Sequence, residues 1–285
     1  MIQSMTGFGK AIVQLPTKKI TIEIKSLNSK SLDLNARIPS AYREKELELR
    51  KIIASSLTRG KVDFGLYVEA TGSETTSVIN EAVVKQYMEQ LRAISAGEEV
   101  RLLEMAVRLP DALKTERADI DPEEYKSIKK ILEEALIAIN TFRTEEGEVL
   151  EKDFEQRIGN LNTLLDKVKE IDPERLHTIR ERLEKAVTDL KTEVDANRFE
   201  QELIYYLEKY DITEEKVRLA NHLDYFMTTL KSSDSNGKKL GFISQEIGRE
   251  INTIGSKSNY APMQQLVVQM KDELEKIKEQ MLNVL

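Results

Sequence analysis

LEKDFEQRIGNLNTLLDKVKEI, residues 150–171, sets the architecture. Leu150, Phe154, Ile158, Leu161, Leu165, Val168 and Ile171 recur at spacings of three and four, which is one apolar stripe on an α-helix. Asp172-Pro173 then interrupts the run, since proline lacks the N–H that a helix interior needs. Beyond it Leu176, Ile179, Leu183, Val187, Leu190 and Val194 take up the same spacing. The pattern predicts a long antiparallel helical hairpin over 146–207, turning at Asp172-Pro173 and packed along a narrow seam as in a coiled coil. Its outer faces are dense in Glu, Lys and Arg and read as solvated. A hairpin this long and thin predicts pairing with another copy of the chain.

Toward the N-terminus the apolar period changes from three or four to two. Ser4 to Gln14 reads as a first strand that opens at Gly7 and Gly9. Ile20, Ile22 and Ile24 alternate with Thr21, Glu23 and Lys25, and Leu32, Leu34 and Ala36 alternate again up to Pro39. A helix capped by Ser40 runs to about Leu57, and Val62, Phe64, Leu66 and Val68 form a last strand. The order is βββαβ, and the short connections favour a meander with a helix over one face. Arg59, Gly60 and Lys61 turn the chain from helix to strand, which suits either a phosphate contact or a plain glycine cap with flanking charges.

The fold class is therefore α+β: a small βββαβ N-terminal domain (1–72), a helical continuation (73–145), the long hairpin (146–207) and a C-terminal helical domain (208–285). In the continuation, Val83, Val84, Tyr87, Met88 and Leu91 mark one helix, and Leu102 to Leu113 a shorter piece interrupted at Pro110. Asp121-Pro122-Glu123-Glu124 then opens a helix, with proline first and acids in its first turn.

Past the hairpin, Asp211 with Glu214 resembles a capping box and opens a helix bearing Glu214, Arg218 and His222 in line, with Glu215 adjacent. That histidine reads either as an ordinary surface or core residue or as part of a site. The segment Asn236 to Asn259, NGKKLGFISQEIGREINTIGSKSN, sorts into faces at 100° per residue. Ile243, Ile247, Ile251 and Ile254 face a core. Glu246, Arg249, Glu250, Thr253 and Lys257 share the neighbouring side, either as solvated ion pairs or as a functional stripe. Gly248 and Gly255 leave a third side bare, each costing roughly 1 kcal/mol of helix stability, so a backbone or a ligand is expected close by. Leu266 to Val284 reads as an amphipathic core helix.

Composition narrows the classes. The 285 residues include neither Cys nor Trp, and no apolar run approaches the ~18 residues of a membrane span. Zero cysteines excludes disulfides and thiolate chemistry and agrees with a cytoplasmic location. No signal peptide is visible at MIQSMTGFGK. Net charge is −7, yet residues 1–72 carry +5 and the remainder −12. A polyanionic partner is thus expected on the N-terminal part and at basic spots such as Lys238-Lys239.

Ser4-Met5-Thr6-Gly7-Phe8-Gly9, Glu23-Ile24-Lys25-Ser26-Leu27-Asn28 and Leu57-Thr58-Arg59-Gly60-Lys61-Val62 resemble the YicC family. So do Asn197-Arg198 with Glu202, Asp211 with Glu214, Glu215, Arg218 and His222, Gly237-Lys238-Lys239-Leu240, and Gln245-Glu246 through Ser256-Lys257. The resemblance runs along nearly the whole chain. It implies an N-terminal YicC-like domain, a C-terminal nuclease domain, endoribonuclease activity with a divalent cation (Mn²⁺ or Mg²⁺), and a homo-oligomer, a hexamer. It makes Glu202, Asp211, Glu214, Glu215, Glu246 and Glu250 candidate metal ligands or bases. Arg59, Lys61, Arg198, Arg218, Lys238, Lys239, Arg249 and Lys257 become candidate RNA contacts, and His222 a ligand or proton carrier. Glu246, Glu250, His222 and Arg249 are the expected catalytic set. Two positions depart from the family pattern, Gly241 after Lys239-Leu240 and Ala220 two residues before His222, where acids commonly stand.

Three functions follow as expectations: metal-assisted hydrolysis of RNA phosphodiester bonds in an oligomeric channel, an RNA-binding clamp that presents RNA to another nuclease, and a self-assembling scaffold without RNA affinity. The scaffold does not call for the mixed stripe of residues 246–257. Hard oxygen ligands with at most one imidazole fit Mg²⁺ or Mn²⁺ better than zinc. The second histidine, His177, stands far away along the chain.

Overall fold

The computed structural model describes residues 2–71, 78–95, 97–114, 120–189, 196–232 and 237–285. The expected hairpin positions Leu190 and Val194, and the segment 233–236, lie outside them.

Four strands form the N-terminal sheet: β1 (Gly7–Gln14), β2 (Lys18–Leu27), β3 (Leu32–Arg37) and β4 (Gly60–Ala70). Their spatial order is β1-β2-β4-β3. The strands fall close to where alternation puts them, but the meander does not form. β4 inserts between β2 and β3, antiparallel to the first and parallel to the second. The physical reason lies in the connection between β3 and β4, a 3₁₀ turn (Ser40–Lys45) followed by α1 (Glu46–Ser56). A helical crossover returns the chain to the end where the previous strand began, so the next strand runs parallel to it. The central place also suits β4, whose Val62, Phe64 and Leu66 are fully buried. Ser40 does not cap by its side chain.

After α2 (Glu81–Ile94) and α3 (Glu99–Ala106) comes a helix of 68 residues, α4 (Pro122–Asp189), roughly 100 Å long. β5 (Val78–Ile79), just before α2, and β6 (Leu113–Lys114), just after α3, pair beside a small core of Val84, Ala106 and Ala112. The first third of α4 covers the inner face of the sheet with Tyr125, Ile128, Leu132, Ala135 and Ile139. Its approach is so close at β1 that a Cβ on Gly9 would stand 2.2 Å from the Ala135 carbonyl oxygen.

Asp172-Pro173 does not break this helix, contrary to expectation. Pro173 faces solvent, so the Lys169 carbonyl that it leaves without a donor can bond water. Asp172 is buried and bonded from two sides: Arg175 Nε donates to its Oδ1 at 2.7 Å, and Lys216 Nζ lies 2.6 Å from its Oδ2. The returning arm of the hairpin is α5 (Ala196–Lys209), alongside the end of α4.

The C-terminal core forms where the middle of α4 meets α6 (Thr213–Leu230), α7 (Gly237–Lys257) and α8 (Ala261–Met281). Ile243, Ile247, Ile251 and Ile254 all point into it, as their spacing predicts. The glycine side of α7 is also explained by packing. A Cβ on Gly248 would meet Leu274 at 3.1 Å, and one on Gly255 would meet Val267 at 3.0 Å, so α8 is the close neighbour.

Between the two cores the two ends of the chain meet on α4. Ser4 bridges Val284, the Met5 amide donates to Asn283 O at 2.7 Å, and Ile2 crosses over Gly147. The buried guanidinium of Arg143 stands beside this crossing, its Nη2 donating to Ser26 Oγ at 2.5 Å and to the Met5 and Arg59 carbonyls at 3.3 Å. A Cβ on Gly147 would sit 2.1 Å from Ile2 O. Gly147→Val should therefore lower stability by about 2 kcal/mol, read as a lower midpoint of urea unfolding, whereas Gly159→Ala, with open space around it, should raise stability slightly.

Candidate functional site

α6 and α7 lie antiparallel and are tied at both ends. Lys257, at the end of α7, places Nζ 2.7 Å from Glu215 Oε1 and donates to the Asp211 carbonyl at 2.9 Å, at the start of α6. At the other end Lys239 Nζ stands 4.9 Å from the centroid of the Tyr225 ring. Between these ties, helix geometry puts Lys239, Glu246, Glu250, Thr253 and Lys257 on one stripe of α7. Glu215, Arg218, His222 and Tyr225 form the corresponding stripe of α6. Seven of the fifteen candidates from the sequence thus lie along the groove between these two helices.

Within the groove the groups differ. Glu246 and Arg249 are exposed and stand 4.0 Å apart, a weak surface pair. Glu214 and Arg218 form a second surface pair. His222 is half-buried. Glu250 is 5 % exposed, and among the described residues no hydrogen bond or ion pair reaches its carboxyl group, whose oxygens keep a small opening to water. Glu215 is equally buried, with one oxygen on Lys257 and the other, Oε2, unpaired. A buried carboxylate oxygen without a donor costs free energy, so Oε2 of Glu215 calls for a reason other than stability. Lys257 has three N–H donors and uses two of them on protein, which leaves one for a ligand.

Asp211 extends the site past the end of the groove. It does not form a capping box with Glu214. Its Oδ1 instead accepts from the Thr213 hydroxyl at 2.7 Å and the Thr213 amide at 3.1 Å. The hydroxyl first, then the amide and the nearby Lys216 and Lys257, hold its carboxyl below the usual range. Asp211 also lines an open cleft of about 600 Å³ with Leu176, His177, Arg180 and Glu208. From sequence His177 looked remote, but α5 folds back along α4 and brings this cleft together. The signal that could have found it was the three-residue link between α5 and α6.

Other candidates lie elsewhere. Arg198 and Glu202 are on α5, lining an apolar cavity of about 280 Å³ with Leu183, Val187 and Tyr206. Lys61 is on β4 and Arg59 in the bend just before it, where Arg59 Nε donates to Ser29 O at 2.8 Å. Gly60 between them has φ 125°, and a Cβ there would meet Ser26 Oγ at 2.7 Å. The turn therefore owes its glycine to backbone geometry rather than to a helix cap. Lys238 is exposed at the start of α7. Among the described residues no group of three acids or histidines stands close enough to hold a metal ion.

Because the Asp211 carboxyl is depressed on folding, its stabilising effect is full above the unfolded value of about 3.9 and is lost as pH falls through the folded value. Asp211→Ala should cost about 1 kcal/mol at pH 7, with the gap from the parent protein closing below pH ~3.9, as thermal melts across pH would show.

Comparison with known proteins agrees with the motifs. A family described as endoribonuclease YicC-like, N-terminal region, matches residues 2–152, and one described as endoribonuclease YicC-like, C-terminal, matches residues 168–285. A probable endoribonuclease YicC of Clostridioides difficile is 32 % identical over 293 aligned positions, covering the whole of both chains. One of Haemophilus influenzae is 31 % identical over 288 positions, again covering both completely. The chain belongs to the YicC-like endoribonuclease family.

Proposed function

We propose that this chain is an endoribonuclease whose scissile phosphodiester lies along the α6/α7 groove. The observation that carries the reading is Glu250, only 5 % exposed as a residue and reached by no hydrogen bond or ion pair among the described residues, standing on a helix face that also presents exposed Glu246 and Arg249. Glu250 takes the proton from the attacking nucleophile, and His222 moves a proton at the leaving oxygen. Arg249, Arg218, Lys238, Lys239 and the spare N–H of Lys257 hold phosphate oxygens and offset the charge that develops on them.

The residues of one protomer do not fit a bound divalent ion: no three acids converge among those described, and Glu215 already carries the ammonium of Lys257. The requirement for Mn²⁺ or Mg²⁺, the homohexamer and its channel remain part of the proposal at the level of the assembly. Exposed Glu202, Glu214 and Glu246 are available there to meet acids of a second copy. A clamp that binds RNA without cutting it is the second reading. It is favoured by Gly241, where open space surrounds the position of an acid common in the family.

Purified protein with a labelled RNA and Mn²⁺ separates the two. Cleavage should appear, fall at least hundredfold in Glu250→Gln and Glu246→Gln, and leave oligomer mass unchanged in both. Tight binding without product would establish the clamp. Activity that survives EDTA would remove the metal from the proposal, and in either reading RNA affinity should fall steeply with added salt.

A further inference from the structure

The N-terminal sheet has one face under α1 and α4 and one face open. Strand register arranges the open face in rows. Phe8, Lys25, Asp63 and Asn35 cross all four strands, followed by Lys10, Glu23, Gly65 and Arg37, then by Ile12, Thr21 and Tyr67. Phe8 and Tyr67 are 41 % and 44 % exposed. An exposed aromatic ring on a sheet face offers a flat apolar surface at low entropic cost.

Gly65 explains the posture of Tyr67. A Cβ at Gly65 would lie 2.7 Å from Cε2 and Oη of Tyr67 and 2.9 Å from Cζ, so the ring lies down over the glycine. One side of the ring is thereby held and the other left outward. Beside it is a polar cavity of about 220 Å³ lined by Glu23, Lys25, Arg37, Asp63, Gly65 and Tyr67. Donors and acceptors thus surround a stacking surface, which is the combination that reads the edge of a nucleobase. Phe8 lies diagonally across the sheet, roughly 16 Å away by strand geometry, with Lys25 Nζ 5.7 Å from its ring centroid.

Charge points the same way. Lys10 is paired with Glu23 and Lys19 with Glu69, whereas Lys25, Arg37 and Lys61 have no ion pair among the described residues. The buried core of a protein–protein interface is depleted in lysine, so Lys25 beside Phe8 and Lys61 one row further along the same face, with Arg37 across from Gly65, suit a polyanion better than a second copy of the chain.

We propose that this open sheet face binds single-stranded RNA, with Phe8 and Tyr67 stacking on bases and Lys25, Arg37 and Lys61 contacting phosphates. The proposal rests on the reading of the chain as acting on RNA, and adds to it a substrate class and a second contact surface remote from α6/α7. Duplex RNA, whose bases are already stacked, gains nothing from the rings.

The test uses the full chain carrying Glu250→Gln, so that RNA survives, and a fluorescein-labelled single-stranded oligoribonucleotide followed by anisotropy. Adding Phe8→Ala and Tyr67→Ala should weaken binding at least tenfold, while Tyr67→Trp keeps it. Lys25→Gln with Lys61→Gln should reduce the salt dependence of binding by about two phosphate contacts. Affinity unchanged by all these substitutions overturns the proposal and leaves the nuclease reading standing. Loss of affinity that appears only together with a change in oligomer mass also overturns it, and assigns the face to contact between copies. Failure of the unsubstituted protein to bind or cut any RNA removes the nuclease reading, and this surface with it.

Discussion

The packing of one helix against two separate cores is the constraint on which the molecule depends. α4 closes the N-terminal sheet with its first third and the C-terminal helices with its middle. A helix of this length gains little from propensity alone, so its persistence through Pro173 comes from apolar contacts on both sides of the interruption. Burial of a medium-sized aliphatic side chain contributes about 1.5–3 kcal/mol, comparable with the roughly 3 kcal/mol that an interior proline costs. Ile158, Leu161, Leu165, Val168 and Ile179 are all buried around it, so the contacts outweigh the proline.

The same balance separates structure from chemistry in the candidate site. Asp172 accepts at both oxygens, from Arg175 within α4 and from Lys216 of α6, and Lys257 spends two of its three donors tying α7 to the start of α6. Glu250 and one oxygen of Glu215 accept nothing among the described residues, although they lie within a turn or two of those ties. A fold that satisfies its neighbours while leaving an oxygen of Glu215 buried and short of a donor carries a local cost. Such costs concentrate where a protein binds or reacts.

What could be read from the sequence was what depends on neighbours within a few residues. Period-two and period-three-to-four patterns placed every strand of the N-terminal sheet and every C-terminal helix, because burial on one face imposes its repeat locally. The α7 stripe of Ile243 to Ile254 came out as expected for that reason. The order of strands did not, since whether β4 pairs with β2 or only with β3 is decided by long-range contacts that no local window contains. Pro173 misled because its cost is visible in sequence, whereas the two bonds that hold Asp172, and the solvent available to Lys169, are not. Gly248 and Gly255 correctly signalled a close neighbour but could not tell a packed helix from a ligand. Most of the candidate site was legible as a charge pattern; the cleft that joins His177 to Asp211 was not, because it exists only once α5 has folded back.

Gly147 gives α4 a further property. The joint with the crossing strand lies well inside the helix, leaving roughly 60 Å of it on the side that ends at the hairpin. A rod pivoted there works as a lever. A tilt of about 5° at the crossing would sweep the far end through roughly 5 Å, about the rise of one helical turn. Small rearrangements at the meeting of the two cores would therefore register as large displacements at α5, with no bending of the helix required.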